Sequence, residues 1–167
     1  MKKRIASFQQ LVQQPRFWLL IYGLLGVISA VQLLVATQVD PKPGWPTRYN
    51  NYVIFRSSFD HLVENKDLYT THPEEHFDYY KYSPSFAALM APFALLPDCF
   101  GLPIWNLLNA LLLATALLQL PGLRPKARAP VLALACIETL TSLQNAQSNA
   151  LLAGLLIWTF IFLERGK

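Results

Sequence analysis

Asp60 and Glu64 stand four residues apart in an aromatic and aliphatic stretch, a spacing that places both carboxylates on one face of a helix. A carboxylate so placed can take the proton of an attacking hydroxyl; a solvated face of an amphipathic helix has the same pattern. Glu74, Glu75 and Asp78 then cluster beside His72 and His76. Imidazole and carboxylate together suit a divalent ion, yet the spacing follows no metal signature and also reads as a charged loop surface. Tyr79-Tyr80-Lys81-Tyr82-Ser83-Pro84 follows at once. Lys81 first, then Arg48 and Arg56, are the cations of this region that could meet an anionic group. An arginine would grip a phosphate bidentately, a lysine as a flexible point charge. A lysine among tyrosines equally fits snorkelling at headgroup level within an aromatic belt. Asn50 and Asn51 can orient a polar ligand through amide hydrogen bonds. Gln147 and Asn149 can bind substrate or only satisfy helix ends. Glu138 lies in an apolar run, where an ionisable residue is a site hypothesis, with Thr139 and Thr141 near enough in sequence to solvate it. Asn106 and Asn109 read as links between helices. Cys99 and Cys136 form no metal-ligand pattern.

The elements that must carry these residues belong to a membrane protein. The chain has 167 residues, 53% hydrophobic and 14% charged, against about 25% charged in an ordinary soluble domain. The net charge is +4, but the basic residues flank apolar segments instead of forming one face, which argues against nucleic acid as a partner. Phe17 to Val39 exceeds the roughly 20 residues that cross a bilayer and is too long for a cleaved signal peptide. Lys2, Lys3, Arg4 and Arg16 precede it, so the N-terminus is expected on the cytoplasmic side. A second span is expected from Phe100 to Leu120, followed by cytoplasmic Arg124, Lys126 and Arg128. The segment from Asp40 to Asp98 is then extracytoplasmic. Within it, Tyr52 to Glu64 predicts an amphipathic interfacial helix with Tyr52, Phe55, Phe59, Leu62 and Val63 on its apolar face. Ser85 to Leu96 predicts a short interfacial or re-entrant helix. Val131 to Leu163 is too long for one span and short for two. It predicts two short paired helices, Val131 to Leu143 and Ala150 to Leu163, about a polar turn lowered toward the membrane; one long tilted helix is the other reading. The fold class expected is an all-α integral membrane protein with about four transmembrane helices, two of them short and paired. Residues 1–167 would form one membrane domain in the cytoplasmic (inner) membrane.

Several short patterns, in this order, resemble a known family. Asn51-Tyr52-Val53-Ile54-Phe55 is followed by Leu62-Val63-Glu64-Asn65-Lys66-Asp67-Leu68-Tyr69, then Lys81-Tyr82-Ser83-Pro84, then Ala91-Pro92-Phe93-Ala94-Leu95-Leu96-Pro97, and last Ala146-Gln147-Ser148-Asn149 before an apolar helix. Together they resemble the outer loop and later Gly-Gln-x-Asn turn of glycosyltransferase family 87, integral membrane enzymes of the GT-C fold that use polyprenol-phosphate-mannose. The chain departs from the pattern at two places in that loop. Asn51 stands where the family has the aspartate that serves as its catalytic base, and an amide cannot take the proton that a carboxylate can. Asn65 stands where the family has glycine, a mild change because asparagine tolerates positive φ.

The resemblance implies transfer of a hexose, in the manner of a mannosyltransferase, from a polyprenyl-phosphate donor to an extracytoplasmic glycan or glycolipid acceptor, with membrane lipid as the surroundings. It implies an N-terminal portion of a larger enzyme, since family members are longer. Inverting transfer needs one base, because the phosphate departs without a general acid. Asn51, Asp60 and Glu64 are the catalytic candidates; Asn50, Arg48, Arg56, Lys81, Tyr82, Gln147 and Asn149 are the substrate-binding candidates. No cofactor is expected, with a divalent metal left open. The alternative is a catalytically inactive membrane protein that binds or scaffolds a glycolipid, and a small transporter of broken helices is a third reading.

Overall fold

A computed structural model of the protein describes residues 10–40 and 47–166. Every regular element among them is helical: α1 (Pro15–Val39), α2 (Asn50–Val63), α3 (Pro84–Leu89), α4 (Ala91–Ala94), α5 (Asp98–Gln119), α6 (Pro125–Gln144) and α7 (Asn149–Glu164). Lys2, Lys3 and Arg4, on which the cytoplasmic placement of the N-terminus leans, lie outside the described residues.

The expectation of about four membrane spans is corrected to two. Among the described residues, only α1 and α5 are long and apolar enough to cross a bilayer. α6 has 20 residues but carries Lys126, Arg128, Glu138, Thr139, Thr141 and Ser142, which dilute its apolar character. α7 is apolar but has 16 residues, about 24 Å at 1.5 Å per residue, short of a hydrocarbon core of about 30 Å. The polar turn does divide the run into two helices, as the paired reading expects. Ala146 turns the chain there at φ 49°, and the Gln147 N–H closes back onto the Ser142 carbonyl at 2.9 Å.

α5 is the central post. α1, α6 and α7 all pack against it, and α1 and α7 each bring a glycine close to its backbone. A Cβ on Gly26 of α1 would stand 3.2 Å from the backbone of Asn106 and Leu107, and one on Gly154 of α7 would stand 3.0 Å from Leu113 N. Small residues let helix backbones meet where lipid supplies no hydrophobic drive between helices. Amides tie the post to its neighbours: Asn106 Nδ2 donates to the Leu143 carbonyl at 3.3 Å, and Asn109 Oδ1 accepts from the Leu151 N–H at 3.0 Å. This is the linking role their spacing suggests. Leu20, Ile28 and Ile104 point away from the bundle and are exposed, as lipid-facing positions of spanning helices would be.

The segment between α1 and α5 folds over one end of this bundle. α2 is buried on more of its circumference than an interfacial helix would be. Tyr52, Ile54, Phe55, Ser58 and His61 are all buried, while Val63, expected on the apolar face, is 63% exposed. Ser58 is accommodated by donating its hydroxyl to the Phe55 carbonyl at 2.6 Å. Phe55, Phe93 and Trp105 interlock edge-on or tilted, with ring centroids 5.4–5.6 Å apart, and so join α2, α4 and the start of α5. The helix expected from Ser85 to Leu96 is two short pieces. Ser83 caps the first, its Oγ accepting the Phe86 N–H at 3.3 Å. Pro92, which has no N–H to give, opens the second.

Candidate functional site

α2 is a wall between two cavities. Its residues Asn51, Ile54 and Phe55 line one side, and Val53, Arg56, Ser57, Asp60, His61 and Glu64 line the other. At 100° per residue these two sets fall on opposite faces of one helix.

The first cavity, of about 350 Å³, forms where α2, the tyrosine-rich segment before α3 and the α6–α7 turn meet. It brings together Asn51, Lys81, Tyr82, Gln147 and Asn149 from three separate stretches of the chain. Hydrogen bonds hold the turn in place from below and from the side. Trp105 Nε1 donates to the Ala146 carbonyl at 3.2 Å, Asn51 Nδ2 donates to the Asn145 carbonyl at 2.8 Å, and Tyr82 Oη lies 2.9 Å from Ser148 Oγ. Gln147 and Asn149 pair through their amides at 2.8 Å. The Tyr82 ring is fixed between Phe55, 5.2 Å away edge-on, and Phe86, 4.7 Å away and stacked. A further, smaller cavity of about 210 Å³ lies beyond the turn, sharing Gln147 and Asn149 with the first and adding Glu138, Thr139 and Thr141.

Asp78 also lines the first cavity, a carboxylate that sequence reasoning grouped only with its acidic neighbours. Lys81 Nζ reaches both of its oxygens, at 2.7 and 2.8 Å, and its Oδ1 accepts the Tyr79 N–H at 2.7 Å. The Lys81 ammonium holds the Asp78 carboxyl below the usual aspartate range, with the Tyr79 N–H adding to the effect. The i, i+3 spacing of an acid and a lysine was the available signal. Beside them, burial pushes the Tyr80 phenol up to about 12, so Tyr80 stays neutral; it donates to the Ser83 carbonyl at 2.6 Å.

The second face of α2 lines a cavity of about 480 Å³ that holds Asp60, Glu64 and Arg56 with Lys66, Glu74 and Glu75. Glu64 pairs with Lys66 at 2.6 Å. Arg56 pairs with Asp98 at 2.9 Å, and the other Asp98 oxygen accepts from Tyr49 Oη at 3.0 Å. His61, which sequence reasoning passed over, reaches this cavity from the buried side of α2, with Nε2 3.1–3.2 Å from the Glu75 carboxylate. Burial alone would raise the Glu75 carboxyl, but the hydrogen bond and charge of His61, helped by Ser57 and His72, outweigh it and hold the group below its usual range.

Arg48 and Asn50 do not open into either cavity. Arg48 clamps Asp40 at the end of α1, through its carbonyl at 2.7 and 3.0 Å and through its carboxylate. Asn50 Oδ1 accepts the Phe77 N–H at 3.0 Å and so anchors the loop that carries Asp78. The binding candidates therefore divide into the group around Asn51 and Lys81, the group around Asp60 and Glu64, and two residues that brace the backbone.

The model of glycosyltransferase family 87 matches residues 80–167, slightly more than half of the chain. No curated protein and no solved structure matches it.

Proposed function

Because this chain belongs to glycosyltransferase family 87, we propose that it transfers a hexose, in the manner of a mannosyltransferase, from a polyprenyl-phosphate donor to a glycan or glycolipid acceptor at the outer face of the cytoplasmic membrane. The observation that carries this reading is the convergence of Asn51, Lys81, Tyr82, Gln147 and Asn149 with Asp78 in one cavity, in a chain with two helices long and apolar enough to cross a bilayer. Lys81 binds the donor phosphate, and the amides and the tyrosine hydroxyl orient the sugar. The acceptor hydroxyl attacks the anomeric carbon, the bond from that carbon to the phosphate oxygen breaks, and polyprenyl phosphate leaves with the electron pair. The hydroxyl proton goes to Asp78. The pair at 2.7–2.8 Å supplies a reason for the timing. A phosphate that takes Lys81 removes the partner that keeps Asp78 weakly basic, so donor binding raises the basicity of the carboxylate when the acceptor needs it. Asp60 and Glu64, across α2, take no part in this reaction.

A second reading is a glycolipid-binding protein without catalysis. Asn51 favours it: its amide N–H supports the Asn145 carbonyl at 2.8 Å, a bond that an aspartate, an acceptor only, could not make.

The test is transfer from labelled polyprenyl-phosphate-hexose in membranes. Asp78→Asn is expected to lower turnover by about 10²–10⁴, the range for loss of a general base, while Lys81→Ala raises the donor KM. Turnover that survives Asp78→Asn but is lost in Asp60→Asn or Glu64→Gln would place the base across α2. Turnover seen only in Asn51→Asp would establish the binding reading.

A further inference from the structure

We propose that His61, His72 and Glu75 form a binding site for a divalent transition-metal ion, with zinc as the best match to the donor set. The site takes no part in the transfer chemistry, and two of its ligands, His61 and Glu75, line the cavity on the other side of α2.

The three side chains offer one ligand atom each, all within 4.8 Å of one another. Tetrahedral zinc with bonds of about 2.0–2.2 Å holds its ligands roughly 3.4 Å apart. The His61–Glu75 separation of 3.1–3.2 Å already meets that figure. Two imidazoles and one carboxylate are borderline donors that suit zinc over magnesium or calcium, which prefer all-oxygen sites. The ligands come from two elements, His61 from α2 and the other two from the loop after it, so they converge only through the fold.

The surroundings prepare the ligands. His72 Nε2 lies 3.1 Å from the Asp67 carbonyl. A carbonyl can only accept, so Nε2 carries the proton and Nδ1 of the neutral ring keeps its lone pair, the arrangement that orients metal-binding histidines. The His61 and His72 rings stack at 3.8 Å, and His76 stands against both, at 6.3 and 5.7 Å. His76 is 2% exposed and its Nδ1 has no partner; water on the ion would satisfy it. Asp60 and Glu74 line the same cavity and favour a cation electrostatically, while its own cations Arg56 and Lys66 are paired with Asp98 and Glu64. Glu75 is 39% exposed on its side chain, so a fourth position opens to solvent. The ion pins the loop that leads to Asp78 and Lys81 onto α2.

The experiment uses the whole protein in detergent, without a polyhistidine tag, stripped with chelator and titrated with Co²⁺ and then Zn²⁺. Wild type is expected to take one equivalent of Co²⁺ with the visible bands of a low-symmetry four-coordinate ion, which Zn²⁺ then bleaches. Glu75→Gln, which keeps the size of a side chain that is 39% exposed, and His72→Ala are each expected to weaken Zn²⁺ binding more than about 100-fold, the upper figure for loss of even an outer-shell partner. Absence of the bands in wild type, or undiminished binding in either variant, would overturn the site.

Discussion

Tyr52 and Gly101 meet where the cavity-lining helix α2 crosses the start of α5, and their contact allows a quantitative test. Tyr52 is fully buried and its Oη has no hydrogen-bond partner. Leaving a buried hydroxyl unsatisfied costs about 1–3 kcal/mol. Tyr52→Phe, which removes only that oxygen, is therefore expected to be neutral or to stabilise by up to that amount. A Cβ on Gly101 would overlap Tyr52 Oη, with Tyr52 Cζ next at 3.2 Å and Leu96 Cβ at 3.6 Å. Gly101→Ala should cost about 1–3 kcal/mol, as overpacking does. In the double variant the overlapping atom is gone and only the tight contact with Cζ remains. The pair should recover most of the loss, a coupling of about 1–2 kcal/mol. Trp105, buried at 1% exposure and linked to Tyr52 through Phe93, reports the transition by fluorescence during denaturation in mixed micelles. Additive single effects, or a Tyr52→Phe variant destabilised by more than about 1 kcal/mol, would refute the packing argument.

Asn65 sits at φ 56°, so Asn65→Ala should lower stability by about 1 kcal/mol and Asn65→Val by more, while Asn65→Gly stays near wild type; thermal melts rank them. Gly154→Ala puts a Cβ 3.0 Å from Leu113 N and should cost about 1–3 kcal/mol, with Gly154→Leu separating α7 from α5 outright, read by protease accessibility of the α6–α7 turn. The Asp78 carboxyl is held below its ordinary range by Lys81. The pair's contribution is thus complete above pH about 4 and disappears as pH falls through the lower folded value. Both partners are well exposed, so that contribution is no more than about 1 kcal/mol. Lys81→Ala should move the Asp78 titration back up toward the usual range in carboxyl NMR; an unmoved titration would show that the ammonium is not its cause.

α1 and α5 are legible from apolar length alone, and α2 from its 3.6-residue period, because each is a local property of a short window. The break at Ala146 was legible for the same reason: eight polar residues interrupt an apolar run there, and the chain turns. The count of spans was not legible. Length and polarity compete in α6 and α7, and only their realised boundaries show one to be too polar and the other too short. The burial of α2 on nearly all sides likewise depends on what folds over it. The period puts Val63 on the apolar face of an interfacial helix, yet it is 63% exposed, while Ser58 and His61 are buried.

The candidate site divides in the same way. Residue types together with the family resemblance mark Asn51, Lys81, Gln147 and Asn149 as able to hold a phosphorylated sugar, and the i, i+3 spacing of Asp78 and Lys81 permits their pair. That Asn51 and Lys81 share a cavity with residues from beyond α5, whereas Asp60 and Glu64 face the opposite side of the same helix, is decided by closure of the bundle. Local spacing sets which side chains share a face of their own helix; it carries no information about which distant segment will cover that face. Here that choice rests on the Trp105 and Asn51 bonds to the α6–α7 turn. These contacts span 41 and 94 positions of sequence separation, and they exist only once the glycine-mediated packing of α1 and α7 on α5 has brought the turn under α2.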